Sequence, residues 1–112
     1  MVKHIKESVD TDYLYDGAFQ IANYINDYIK FGAGFRVSEP YNGFKKLVLD
    51  TEIFVGYDTD YLVIKYGKSK PVTKKFKVEK GMMDFVIDDV ENYLTDEVFW
   101  YESTKRKWRI SL

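Results

Sequence analysis

The chain has 112 residues, with 17 Lys and Arg against 18 Asp and Glu, a formal net charge of −1, and no cysteine. This length is typical of one domain with its own core, and the absence of cysteine excludes a disulfide framework, a zinc–thiolate site and a thiol nucleophile. No stretch approaches the roughly 20 apolar residues of a membrane span, and the N-terminus lacks the apolar core of a signal peptide. We therefore expect one cytoplasmic domain over residues 1–112, with residues 1–9 frayed and no membrane association.

The first predicted element is a helix over residues 11–31, because apolar residues recur there at three- and four-residue spacing. Asp10 or Thr11 can cap its start, and Gly32 can end it in the left-handed conformation. Tyr24 and Tyr28 belong to an aromatic shoulder beside the apolar stripe, which makes the apolar arc wider than one core contact requires. Either a second element of the chain or a partner protein covers this shoulder.

Four strands are predicted after a glycine-punctuated loop. They cover residues 44–49, 53–57, 61–66 and 72–78. The short polar connections between them predict an antiparallel meander. In the fourth strand, alternation places Lys75 and Lys77 on one face and Lys74 on the other, so that the outer face is basic.

The C-terminal third is predicted to contain a second helix and then a hairpin. Helical periodicity covers residues 81–94, and strand patterns cover residues 98–102 and 107–112. The predicted order is therefore α-β-β-β(-β)-α-β-β. This order describes an α+β domain with two helices packed on one antiparallel sheet.

The near-zero net charge hides a strong segregation along the chain. Residues 65–80 hold seven lysines and one acid, whereas residues 81–103 hold seven acids and no Lys or Arg. A molecule built in this way presents separate acidic and basic surfaces. Such surfaces favour selective docking on a partner over bulk attraction to a polyanion.

One short segment carries a signal for catalysis, because an apolar strand from Lys46 to Leu49 leads into Asp50-Thr51-Glu52. It resembles the first metal-binding motif of the DEDD family of 3′–5′ exonucleases. The resemblance implies that Asp50 and Glu52 hold divalent metal ions that activate water for phosphodiester cleavage. That family uses two further aspartates and a His or Tyr, and no complete later motif follows here. The alternative is a polar turn between two strands.

No other catalytic constellation is complete in this sequence. His4 is the single histidine, and its place in a fraying segment makes it a poor general base. Gly32 and Gly34 lack the third glycine and the following helix of a dinucleotide-binding fingerprint. We therefore expect a protein that is not an enzyme and that uses no cofactor.

The leading functional hypothesis is a small non-enzymatic module that binds another protein as an inhibitor or adaptor. Ten Tyr, eight Phe and two Trp exceed what a core of this size requires, so some Tyr are expected at an interface. The expected site residues are Asp84, Asp88, Glu91, Asp96, Tyr24 and Tyr28. The composition, heavy in Lys, Ile, Tyr, Asp and Asn, is similar to that of products of AT-rich bacterial genomes and their phages, where short single-domain proteins often block host or defence enzymes. By this analogy we expect a phage or mobile-element type of inhibitor.

The alternative hypothesis is nucleic-acid binding by a basic strand face. Its expected site residues are Lys74, Lys75, Lys77, Lys107 and Arg109. Lysines also protect sheet edges from aggregation without binding any ligand. A homodimer that pairs the acidic face of one copy with the basic face of another is a further alternative.

Overall fold

The computed structural model describes residues 10–30, 34–38 and 42–106. The chain forms helix α1 (Thr11–Tyr28), then strands β1 (Arg36–Val37), β2 (Gly43–Val48), β3 (Thr51–Asp58), β4 (Tyr61–Gly67) and β5 (Val72–Lys77). A continuous helical segment follows, made of α2 (Met83–Tyr93), a π-helical turn (Leu94–Phe99) and α3 (Trp100–Thr104). No helix in the described ranges has the length and apolar character to cross a membrane.

The five strands form one antiparallel sheet in the order β1-β2-β3-β4-β5. The predicted α+β class and the meander of four strands are confirmed. The short strand β1 lies in the segment that the glycine pattern assigned to a loop, and it pairs Val37 with Phe44. A two-residue strand has too little periodicity to be recognised in a sequence.

Helix α1 covers one face of the sheet. Its predicted cap is confirmed, because the Asp10 side chain accepts a hydrogen bond from the backbone N–H of Asp12 at 2.9 Å. The helix ends at Tyr28, three residues before the predicted end. The predicted stop at Gly32 lies outside the described residues. The apolar stripe of α1, including Ile21 and Ile25, is fully buried against the sheet, so one face of the sheet forms the core.

The predicted hairpin at the C-terminus is wrong for residues 98–102, which are helical. Val98 and Phe99 have strong strand propensity, but both are buried in the core. Val90, Leu94, Val98 and Glu102 follow one another at four-residue spacing and are all buried, so the helical stripe of α2 simply continues. The second predicted strand of the hairpin, residues 107–112, lies outside the described residues.

The C-terminal helical segment, which includes residues that were predicted to form a hairpin, covers the aromatic shoulder of α1. The rings of Tyr24 and Tyr28 lie 6.2 and 5.4 Å from the ring of Phe99, measured between centroids. The Tyr13 hydroxyl accepts a hydrogen bond from the backbone N–H of Met83 at 3.2 Å, which satisfies one free donor at the start of α2. Of the two interpretations of the shoulder, cover by the same chain is the correct one.

Candidate functional site

The helical segment presents an acidic outer surface. We call it the acidic helix surface, and it consists of Asp84, Asp88, Asp89, Asp96 and Glu97 together with the half-buried Glu91. None of these six carboxylates forms an ion pair with any cation in the part of the chain that the structure describes. Burial and the nearby charge of Asp88 raise the pKa of Glu91. The segregation of charge along the sequence is therefore also a segregation in space.

An exposed aromatic side chain lies within this acidic surface. Phe85 is 64% exposed, although a Phe in a helix usually belongs to the buried stripe. At 100° per residue its neighbours on the helix surface are Asp88 and Asp89, three and four residues later, and Asp84 precedes it in the chain. The sequence analysis did not single out Phe85. The available signal was its position on the polar side of the helical wheel.

A second feature at the far end of the helical segment is a groove of about 390 Å³ between α1 and the π-helical turn. Tyr28, Thr95, Asp96 and Trp100 line it. Trp100 is 52% exposed, and the Lys105 ammonium lies 5.9 Å from its ring centroid. The structure thus brings two predicted site residues, Tyr28 and Asp96, to one groove.

Tyr24 takes part in a contact within the chain. Its hydroxyl lies 2.6 Å from the Thr95 hydroxyl, and its ring packs on Phe99. Burial raises the pKa of the Tyr24 hydroxyl. Tyr24 and Tyr28 are both half-buried, and both rings pack against Phe99 of the helical segment.

The lysines that were predicted to bind nucleic acid lie on two different faces of the sheet. Lys75 and Lys77 lie on the helix-free face of the sheet, opposite Val63 and Tyr61 of β4, whereas Lys74 lies on the helix-covered side over the Tyr93 ring. This division is the one that strand alternation predicted. Lys107 and Arg109 lie outside the described residues.

Ion pairs partly neutralise Lys75 and Lys77, the two predicted lysines on the helix-free face. Lys75 pairs with Asp58 at 3.3 Å, and Lys77 lies 3.7 Å from Asp60. Three other cations of the same face, Arg36, Lys45 and Lys65, were missed by the sequence analysis. Their common face depends on the pairing of strands, and no periodicity within one strand shows it.

The predicted metal-site residues lie at the tight connection between β2 and β3. Leu49 and Asp50 form the two-residue loop, with Leu49 at a φ of 58°. The Asp50 carboxylate is held by Lys68 at 2.9 Å and by Arg106 at 3.3 Å, and the hydrogen bond from Lys68 lowers its pKa. Glu52 lies two residues later in the chain, on the helix-free face of the sheet. Within the described ranges, no group of three or more His, Asp or Glu is placed to hold a metal ion.

Comparison of the chain with protein-family models, with curated proteins and with solved structures gave no match in any of the three.

Proposed function

We propose that the protein is a small non-enzymatic binding module that docks its acidic helix surface on a basic surface of another protein, as an inhibitor or adaptor. The observation that carries the proposal is the 64% exposure of Phe85 among the carboxylates of Asp84, Asp88 and Asp89. An exposed aromatic ring inside a charged rim has the composition of an interface centre with its surrounding polar ring.

Both burial of apolar surface and electrostatic attraction contribute to the proposed docking. Removing a largely exposed Phe ring from water provides on the order of 3 kcal/mol at an area coefficient of about 25 cal/mol/Å². The carboxylates around it supply direction, because they attract Lys and Arg of the partner and repel acidic surfaces. Since no described cation neutralises them within the chain, their charge is available to steer association.

The groove at the other end of the helical segment extends the same surface. Asp96 belongs both to the acidic helix surface and to the groove lined by Tyr28 and Trp100. A basic side chain of the partner that enters this groove meets a carboxylate and two aromatic rings, which is a favourable environment for a cation. The contact therefore spans the helical segment from Phe85 to Trp100.

The first experiment is capture of partners on the tagged full chain from nuclease-treated bacterial lysate, with identification by mass spectrometry. The affinity of the purified partner is then measured by calorimetry for the native chain and for two variants, Phe85→Ala and Asp88→Lys/Asp89→Lys. We expect Phe85→Ala to weaken binding at least about 10-fold, as loss of a central aromatic contact does. The charge reversal is expected to weaken binding further and to slow association.

Two control variants make the same kinds of substitution at positions outside the acidic helix surface. Phe19→Ala removes a ring of similar exposure, 51%, from α1, and Asp27→Lys/Glu79→Lys makes the same charge change outside the acidic helix surface. Both controls are expected to keep the native affinity. A partner that binds both acidic-surface variants as tightly as the native chain would overturn the proposal, provided that circular dichroism shows native helix content in every variant.

A further inference from the structure

The sheet face that no described helix covers carries a shallow trough. It consists of two adjoining hollows of about 290 and 460 Å³ that share Ser38, Lys45 and Glu52 in their lining. Phe54 and Lys65 line the first hollow, and Arg36 and Leu47 line the second. The trough lies on the opposite side of the sheet from the core.

Three cations of the trough lie in one row across the sheet. The strand register pairs Arg36 with Lys45, Lys45 with Phe54, and Phe54 with Lys65, so all four side chains share one face. At about 4.8 Å between strands, the row from Arg36 to Lys65 is about 14 Å long. The three cations are exposed, and none of them forms an ion pair within residues 10–30, 34–38 and 42–106.

The floor of the trough is apolar and close to the backbone. The Phe54 ring lies over the paired glycines Gly43 and Gly56, where an added Cβ would collide with it. Phe54 is 8% exposed, and the Lys65 ammonium lies 5.4 Å from its ring centroid. A ligand in the trough would therefore meet flexible cations above an apolar floor.

We propose that this trough binds single-stranded nucleic acid, with the phosphates on Arg36, Lys45 and Lys65. Glu52 has no ion-pair partner among the described residues and lies in the lining of both hollows. Its carboxylate accepts a hydrogen bond from an exocyclic amino group of a base, as acidic side chains do with cytosine. This site lies on a different face from the acidic helix surface and does not depend on it.

The shape of the trough favours a single strand over a duplex. Hollows of 290 and 460 Å³ accommodate ligands of nucleotide size, whereas duplex grooves are entered by a protruding helix or β-ribbon. Positively charged grooves that follow the phosphate backbone are a common feature of proteins that bind single strands. A second copy of this chain that places its acidic helix in the trough is the competing occupant.

The test measures fluorescence anisotropy of labelled 12-nucleotide single-stranded DNA and RNA, and of a 12-base-pair duplex, against the full chain from 50 to 200 mM salt. Three phosphate contacts on a single strand predict a slope of log K against log salt near −2, which is about a 20-fold loss of affinity over this range. The variant Lys45→Ala/Lys65→Ala is expected to reduce the slope to about −0.7. Glu52→Ala removes the hydrogen-bond acceptor and one repulsive charge, so affinity for cytosine-rich strands is expected to fall relative to affinity for thymine-rich strands.

The control Lys74→Ala/Lys80→Ala removes the same charge outside the trough and is expected to leave the slope near −2. An equal loss of affinity in both double variants would overturn the proposal, because binding would then be a general attraction between charges. Absence of binding at 50 mM salt, or equal binding of the duplex, would also overturn the proposal. Self-association in sedimentation experiments that disappears in Lys45→Ala/Lys65→Ala, without nucleic-acid binding, would assign the trough to a second copy.

Discussion

The hydroxyl of Tyr24 lies 2.6 Å from the hydroxyl of Thr95, 71 positions later in the chain. This hydrogen bond joins the middle of α1 to the π-helical turn, a rare conformation that occurs mostly within α-helices and often at functional sites. Next to it, the ring of Phe99 packs against the rings of Tyr24 and Tyr28. The contact therefore joins α1 to the C-terminal helical segment. It also fixes the position of Asp96 beside the groove.

We expect Thr95→Val and Tyr24→Phe each to lower the free energy of unfolding by about 1 kcal/mol, because each leaves a half-buried hydroxyl without its partner. The double variant is expected to cost less than the sum of the two single variants. Urea denaturation of all four proteins measures this coupling. Thr104→Val, at the end of α3, is the control and is expected to change stability little. Strictly additive effects would show that the two hydroxyls do not stabilise each other.

A second prediction concerns the glycine pair beneath Phe54. A Cβ at Gly56 collides with the Phe54 ring and with the carbonyl oxygen of Asn42. We expect Gly56→Ala to lower the free energy of unfolding by about 1–3 kcal/mol, as overpacking does. Gly34→Ala is the matched control, because a Cβ at Gly34 meets no atom within 4 Å. Equal thermal midpoints for the two variants would contradict the close packing of this face.

A third prediction concerns the pH dependence of stability through Glu102. Its side chain is 1% exposed, its Oε1 atom has no hydrogen-bond partner within the described ranges, and Arg106 Nε lies 3.5 Å away. Burial raises the pKa of Glu102, although Arg106 opposes the rise. Because the native pKa lies above the unfolded one, the stabilising effect of protonation is complete below the unfolded pKa of about 4.3 and disappears as the pH rises through the native pKa.

We therefore expect Glu102→Gln to be more stable than the native chain at pH 7 and to lose this advantage as the pH falls towards 4. Thermal midpoints of both proteins across this range provide the measurement. The exposed Glu97→Gln is the control and should follow the native chain at every pH. A glutamine variant that is less stable at pH 7 would mean that the pairing with Arg106 outweighs the cost of burial.

A fourth prediction separates the two interpretations of Asp50. Its ion pairs with Lys68 and Arg106 connect the β2–β3 turn to the β4–β5 turn and to the end of α3. We expect Asp50→Asn to reduce the hydrogen-exchange protection of backbone amides in α3, while Asp58→Asn, which removes an ion pair on the sheet, leaves it unchanged. The metal-site alternative instead predicts manganese-dependent cleavage of single-stranded DNA that Asp50→Asn abolishes.

Hydrophobic periodicity was sufficient to predict the α+β class, helix α1, four of the five strands and the faces of Lys74, Lys75 and Lys77, and capping preference narrowed the start of α1 to Asp10 or Thr11. These features depend on residues close together in the chain, where helical and strand repeats leave a direct signature. The exposure of Asp84 and Asp88 of α2 was predictable for the same reason, whereas Glu91, which is also an expected surface residue, is half-buried. Their proposed role as a docking surface stays a prediction.

The tertiary structure decided the features that depend on distant partners. Residues 98–102 have strand propensity, yet they are helical because Val98 and Phe99 are buried in the core, Phe99 against Tyr28 of α1. The row of Arg36, Lys45 and Lys65 exists because strand pairing brings three strands into register. Propensity and alternation act within a segment, whereas burial and strand register are set by what each segment packs against. Which residues from different segments share one surface was therefore determined only by the tertiary structure.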